Sequence, residues 1–217
     1  MKRVFAISLT LLLATFMAGA QEPIVIGVNL ELSGRMAVTG NDTLRGIEAA
    51  VEQQPEVLGQ TVQLSVCDNA STVEGSIACV NRFVDEGAVA VLGSYSSSHS
   101  IPAAQVLQDE GIIMVTTGST NPATTQIGDY IFRTPFTDQF QGAVAAQYAF
   151  NEAGATRAAI FRQQDDDYSV GLTGFFQDAF EGYGGETTIV DFTANSVDFS
   201  AQINDLRAFN PDFIYYT

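Results

Sequence analysis

Residues 93–100, Gly-Ser-Tyr-Ser-Ser-Ser-His-Ser, gather five serines and the only histidine of a 217-residue chain into eight positions. They follow the apolar run Val89-Ala90-Val91-Leu92, so the hydroxyls stand at the end of a strand. Two chemistries call for such a loop. A serine nucleophile needs a histidine base within hydrogen-bond reach and a third group to orient that base. A ligand cradle needs only convergent donors. The hydrolase elbow has the form Gly-x-Ser-x-Gly with its histidine arriving later in the chain. Here the second glycine is missing, and His99 lies too near Ser97 to serve it from across a substrate. A solvated histidine at a helix start is the plainer reading of His99.

The cradle fits better. Ser100-Ile101-Pro102 reads as an N-cap and an early-turn proline, which predicts a helix over 101–109. Its first N–H groups have no carbonyl a turn earlier, and its dipole favours an anion. The hydroxyls of Ser96, Ser97 and Ser98 would flank that anion, and a carboxylate suits them. The pattern recurs after the run 112–115 as Thr116-Thr117-Gly118-Ser119-Thr120-Asn121-Pro122, where Gly118 permits close backbone approach. Two neighbouring strand ends of this kind form one polar wall.

Other candidate groups carry less. Asp165-Asp166-Asp167 lacks the alternating spacing and later bidentate glutamate of a calcium loop and reads as a solvated loop tip. Cys67 and Cys79 have no partners at metal-ligand spacing. In an exported protein a bridge between them is geometrically allowed, and so are two separately buried thiols. No metal or cofactor is expected. Phe175, Phe176 and Phe180 follow helical spacing and are expected in the core. Asn41-Asp42-Thr43 and Asn69-Ala70-Ser71 match the glycosylation triplet, a pattern that arises often by chance.

These loops need a scaffold. From Pro23 onward, β-branched runs at 24–30, 61–66, 88–92, 112–116, 130–134, 158–162, 187–192 and 213–216 alternate with amphipathic stretches at 40–53, 72–86, 101–109, 138–152, 169–182 and 198–208. Strand and helix in alternation predict α/β lobes with mostly parallel sheets flanked by helices, and ligands that bind beyond the carboxyl ends of the strands. Arg133-Thr134-Pro135-Phe136-Thr137-Asp138 interrupts the rhythm and is read as a crossing between lobes. The domains expected are a leader at 1–20, a first lobe at 21–136 and a second, incomplete lobe at 137–217, whose last strand would lack a covering helix.

The leader rests on Lys2 and Arg3, an apolar stretch and Ala18-Gly19-Ala20, the layout of a secretory signal peptide. Two of the nine cations lie there; the seven that remain are all arginine and face 25 acidic residues, a net of −18. A chain so poor in cations has no surface for a phosphate backbone, which excludes nucleic acid as a partner.

Ile24 to Tyr216, and above all the paired loops GSYSSSHSIPAAQVLQDEGIIMVTTGSTNPATT with IFRTPFTDQFQG and DFSAQINDLRAFNPDFIYY, resembles the branched-chain amino acid binding proteins of ABC transporters. The resemblance implies a type I periplasmic binding protein: two α/β lobes that close on a ligand and leave it unchanged, acting as a monomer in the periplasm and delivering the ligand to permease subunits. It places Ser97 on the ligand carboxylate, Gly118 and Thr120 on the ammonium and carboxylate, Ser119 between them, and Tyr168 as a second-lobe lid. Ser96 and Tyr95 join this set. Thr39 stands where the family often has an aromatic gate, and Tyr95 where an aliphatic residue is common, so the side-chain pocket is expected to differ. The same fold serves ligand sensors, and an exported serine hydrolase is the remaining reading.

Overall fold

A computed structural model describes residues 22–217; the leader lies outside the described residues. Strand β1 (Ile24–Leu30) is central to a six-stranded sheet. Beside it run β3 (Gln60–Asp68) and β4 (Ala90–Gly93), followed outward by β5 (Ile113–Thr116) and β6 (Ile131–Arg133). These pair in parallel, with Val28 between Val66 and Leu92. The short β2 (Glu56–Val57), which the sequence pattern does not disclose, adds antiparallel to β3. The chain leaves β1 for β3 on one side and takes β4 on the other. That reversal of direction beside β1 opens a crevice at the strands' carboxyl ends.

A second sheet of three parallel strands has the order β8-β7-β9: β7 (Arg157–Gln163) lies between β8 (Glu186–Phe192) and β9 (Phe213–Tyr216). Each sheet has its own core. In the first, Val80, Phe83, Val91, Leu107 and Met114 pack together from α2 (Val73–Asp85), β4, α3 (Ser97–Asp109) and β5. In the second, Phe176 and Phe180 of α6 (Asp167–Gly182) stack over Ile160 of β7 and against Ala146 of α5 (Asp138–Gln147). Phe175 is only half-buried, because it turns along the α5–α6 seam against Gly142 instead of into the core.

The remaining helices are α1 (Ala37–Gln53), α4 (Ala123–Gln126) and α7 (Ser200–Phe209). Helix α5 passes into a π-type turn at Tyr148–Glu152. Cys67 at the end of β3 and Cys79 in α2 are bonded, with Cα atoms 5.7 Å apart. The bridge ties one strand's carboxyl end to the helix that follows it.

The largest departure from the sequence pattern is the start of α3. Ser100 is not its N-cap, and Pro102 lies well inside it. The helix begins at Ser97, after Ser96 in extended conformation. The reason is tertiary: Glu31, just beyond β1, accepts hydrogen bonds from the N–H groups of Tyr95 (3.2 Å) and Ser96 (3.1 Å) and so holds the chain for an earlier start.

Candidate functional site

A cavity of about 510 Å³ opens where the carboxyl ends of the two sheets face each other. Tyr95, Ser96 and Ser97 reach it from the β4–α3 turn, and Thr117, Gly118 and Thr120 from the loop after β5. Across from them stand Gln163 at the end of β7, Asp166 and Tyr168 at the start of α6, and Tyr216 and Thr217 at the end of β9. The structure thus brings Tyr95, Ser96, Ser97, Gly118, Thr120 and Tyr168 to one wall or another of the same space. Ser119 does not line it. Arg35 and Met36, beyond β1, line the cavity where Thr39 does not.

The β4–α3 turn is held from behind by a closed polar network. Glu31 is fully buried, and His99 Nδ1 lies 2.7 Å from its carboxylate. Burial pushes the Glu31 pKa up, but the hydrogen bonds from His99 and the Ser96 N–H outweigh that and hold it below its ordinary value. His99 is therefore a packed buttress and not a solvated residue. Among the described residues no serine hydroxyl bonds to its ring, and Ser97 has other partners. Below it, Asn69 Nδ2 donates to Asn29 Oδ1 (3.1 Å) and Ser94 Oγ (3.3 Å), Asn29 donates to Ser76 Oγ (2.8 Å), and Ser76 donates to the His99 carbonyl (2.9 Å). Asn69, the acceptor position of a glycosylation triplet in the sequence, is wholly buried in this network.

The Ser97 hydroxyl accepts from Ser119 Oγ (3.1 Å) and from the Asn121 N–H (3.3 Å). A hydroxyl has two lone pairs and one proton, so with both lone pairs filled Ser97 can offer the cavity only its proton. Ser119, in contact with Thr124 Oγ1 at 2.7 Å, is a support behind Ser97. Gly118 has its own reason: a Cβ there would sit 2.3 Å from the Tyr95 ring. The close approach it permits is that of an aromatic side chain, and this ring lines the cavity.

Ser98 points elsewhere. Its hydroxyl donates to Asp166 Oδ1 (2.8 Å) and accepts from the Asp167 N–H (2.7 Å), which joins the two lobes. Asn121 Nδ2 to the Asp167 carbonyl (2.8 Å) and Arg35 Nη1 to Gln163 Oε1 (2.9 Å) add to that seam. The acidic run 165–167 is therefore no free loop tip. Asp166 caps α6 through the Ser169 N–H, and Asp165 accepts from the Ala194 N–H.

Asp138, the first residue of α5, gave no signal in the sequence beyond its place at the crossing. It is fully buried, and neither carboxylate oxygen has a hydrogen-bond partner. Burial pushes its pKa up to about 6; Thr120, close by but outside hydrogen-bond geometry, and the Arg133 charge moderate the effect. Arg133 itself is spent on the 119–125 loop, where it donates to the carbonyls of Ser119, Asn121 and Pro122.

A family model described as "Periplasmic binding protein" matches residues 23–217. The leucine-specific-binding protein of Salmonella typhimurium is 33% identical over 211 residues, which take in 94% of this chain and 56% of that protein. Among solved structures, the leucine binding protein LivK of Thermotoga maritima superposes with a TM-score of 0.87 at 37% identity, over 89% of this chain and 55% of that one. A solute binding protein of an ABC transporter from R. palustris, in complex with 4-hydroxybenzoate, gives a TM-score of 0.81 at 28% identity, over 90% and 54%. The chain spans about half the length of these relatives.

Proposed function

The chain belongs to the periplasmic binding protein family, and from that premise we propose that it captures a small α-amino acid, branched-chain or a close analogue, between its two lobes and delivers it to an ABC transporter. The lobes meet at the crossing near residue 136, and the leader at 1–20 exports the chain to the periplasm. Binding is the whole of the mechanism: no bond of the ligand is made or broken. The observation that carries this reading is the donor-only hydroxyl of Ser97 at the uncapped start of α3, on a cavity shared by both sheets. A carboxylate is the group that this hydroxyl and the helix N–H groups complement.

Closing over the ligand excludes water, which strengthens these contacts. Ser98, bonded to Asp166 and Asp167, serves as the latch that marks the closed form for a permease. Gly118, Thr120 and Tyr168 complete the grip on the amino acid, with Tyr95 and Ser96 at its edge. The relatives are named for leucine in two cases and bound to an aromatic acid in another, so a melting panel should contain both classes.

Ligand at 100 times its dissociation constant adds about 2.7 kcal/mol of stability, a shift of several degrees. We expect L-leucine or a near neighbour to give that shift and Ser97→Ala to weaken binding at least tenfold, as calorimetry would show. A panel in which only aromatic acids shift the melt would replace the amino acid with that class; equal binding by Ser97→Ala would remove Ser97 from the site.

A further inference from the structure

The turn after β1 brings to the cavity a cation that the carboxylate cradle does not explain. Among the described residues Arg35 is the only cationic side chain on the cavity wall. Arg45, Arg82, Arg157 and Arg162 each lie beside a carboxylate, whereas no described acid pairs with Arg35, in a chain that carries 25 acidic residues. Its side-chain partner stands on the second lobe: Nη1 donates to Gln163 Oε1 (2.9 Å). That bond occupies the amide oxygen of Gln163 and leaves its NH2 group as a donor. Asp166, the acid on the same cavity, accepts from Ser98 and from the Ser169 N–H instead. The turn that carries Arg35 is itself firmly held. Asp68 accepts from the N–H groups of Leu32 and Ser33 (3.0 Å each), and Ser71 Oγ accepts from the Met36 N–H (3.2 Å) and donates to the Ser33 carbonyl (2.7 Å). Gly34, at φ +78°, fits there because a Cβ would lie 2.8 Å from the Ala70 carbonyl oxygen. Both anchors, Asp68 and Ser71, belong to the segment closed by the Cys67–Cys79 bridge.

The order of the strands gives the direction. In the sheet β4 lies between β1 and β5, and neighbouring strands are about 4.8 Å apart. A ligand whose carboxylate sits at Ser97, on the turn after β4, therefore has the end of β1 within reach of its side chain. We propose that Arg35, together with the Gln163 amide, is a specificity-determining pair that selects a side chain ending in a hydrogen-bond acceptor, an amide or carboxylate oxygen. The two donors come from different lobes, so such an oxygen binds both at once and favours the closed form. Arg35 is exposed at the cavity's rim, and an apolar side chain strands no buried charge there. What it forfeits is a charge-assisted hydrogen bond. This inference rests on the amino acid reading above and goes further, since it names the kind of side chain that the cavity takes.

The test is calorimetry on the chain and on Arg35→Met with two sets of L-amino acids matched in shape: leucine with asparagine and aspartate, and methionine with glutamine and glutamate. In at least one set the wild type should bind an oxygen-bearing member more tightly than the apolar one. Arg35→Met, which removes the charge-assisted hydrogen bond, should move that preference toward the apolar member by about tenfold or more. Arg35→Lys, which keeps the charge without the planar fork, should restore part of it. A preference for the amide identifies a neutral acceptor and a preference for the acid a carboxylate; either supports the proposal. Tighter wild-type binding of leucine and methionine than of all four others would overturn it while the capture of amino acids stands. So would a preference that Arg35→Met leaves unchanged, and so would an equal loss for every ligand, which would make Arg35 a tie between the lobes and nothing more. Binding of no amino acid would bring down the amino acid reading and this inference together.

Discussion

At the carboxyl end of β4, the buried polar groups close on one another: Glu31 takes two N–H groups and His99, and Asn69, Asn29, Ser76 and Ser94 complete a connected set. One strand away, at the end of β5, they do not. Among the described residues six buried side-chain polar atoms lack a partner, and five of them belong to Thr116, Thr117, Thr120 and Asp138. The same sheet edge thus has a saturated half and an unsaturated half. A saturated network fixes geometry, because each member is held by the others; an unsaturated wall keeps hydrogen-bonding capacity for what enters the cavity.

The contrast breaks most visibly at Glu31. Glu31→Ala leaves His99, the buried Ser96 N–H and the part-buried Tyr95 N–H without their acceptor. Removing one partner of a buried pair costs about 3–5 kcal/mol, so the chain should melt far below the wild type; a fall of only a degree or two in a denaturation scan would show the network to be dispensable. The sign with pH follows from the depressed pKa of Glu31. Its contribution is full above the unfolded value of 4.5 and is lost as pH falls through the folded value.

Asp138 runs the other way. Its folded pKa, near 6, lies above the ordinary carboxylate value of 3.8. The empty protein therefore bears no cost from it below about pH 4, and the cost grows as pH rises and is complete above about 6. The difference corresponds to about 3 kcal/mol at most. Asp138→Asn should raise the melting temperature of the ligand-free chain at pH 7.5, with a gain that shrinks toward pH 4. A variant that melts lower at pH 7.5 would mean that the carboxylate supports the fold.

How far these two halves could be seen in the sequence differs for a physical reason. Hydroxyls and glycine at strand ends are local signals, and Ser96, Ser97, Gly118 and Thr120 were legible from them, as were the alternating elements that carry them. Tyr168 and Tyr95 came into view through the resemblance and the loop they sit in. Glu31 and Asp138 were two acids among 25. Their burial depends on which strands become neighbours at the reversal beside β1 and on where α5 begins after the crossing, and neither is encoded within a few residues. Glu31 did have one available mark, an acid directly after the apolar run of β1. The start of α3 departs from the sequence pattern for a related reason: Ser100 and Pro102 form a persuasive local signal, yet Glu31 stabilises an earlier start through N–H groups 64 and 65 positions away.

The smallest expected effect separates the two halves most cleanly. Thr116→Val removes a fully buried hydroxyl that has no partner and keeps the side chain's shape. Nothing is left unpaired by it, and the desolvation penalty of the hydroxyl disappears, so the change should be neutral or stabilising by up to about 1 kcal/mol. Ser76→Ala, one network away, deletes a hydroxyl that accepts from Asn29 and donates to the His99 carbonyl, and should cost about 1–3 kcal/mol for the groups left without partners. Urea denaturation of the two single variants reads both signs. If Thr116→Val proves as costly as Ser76→Ala, the hydroxyl at the end of β5 is satisfied in solution, and the wall beside Asp138 is as closed as the network behind Ser97.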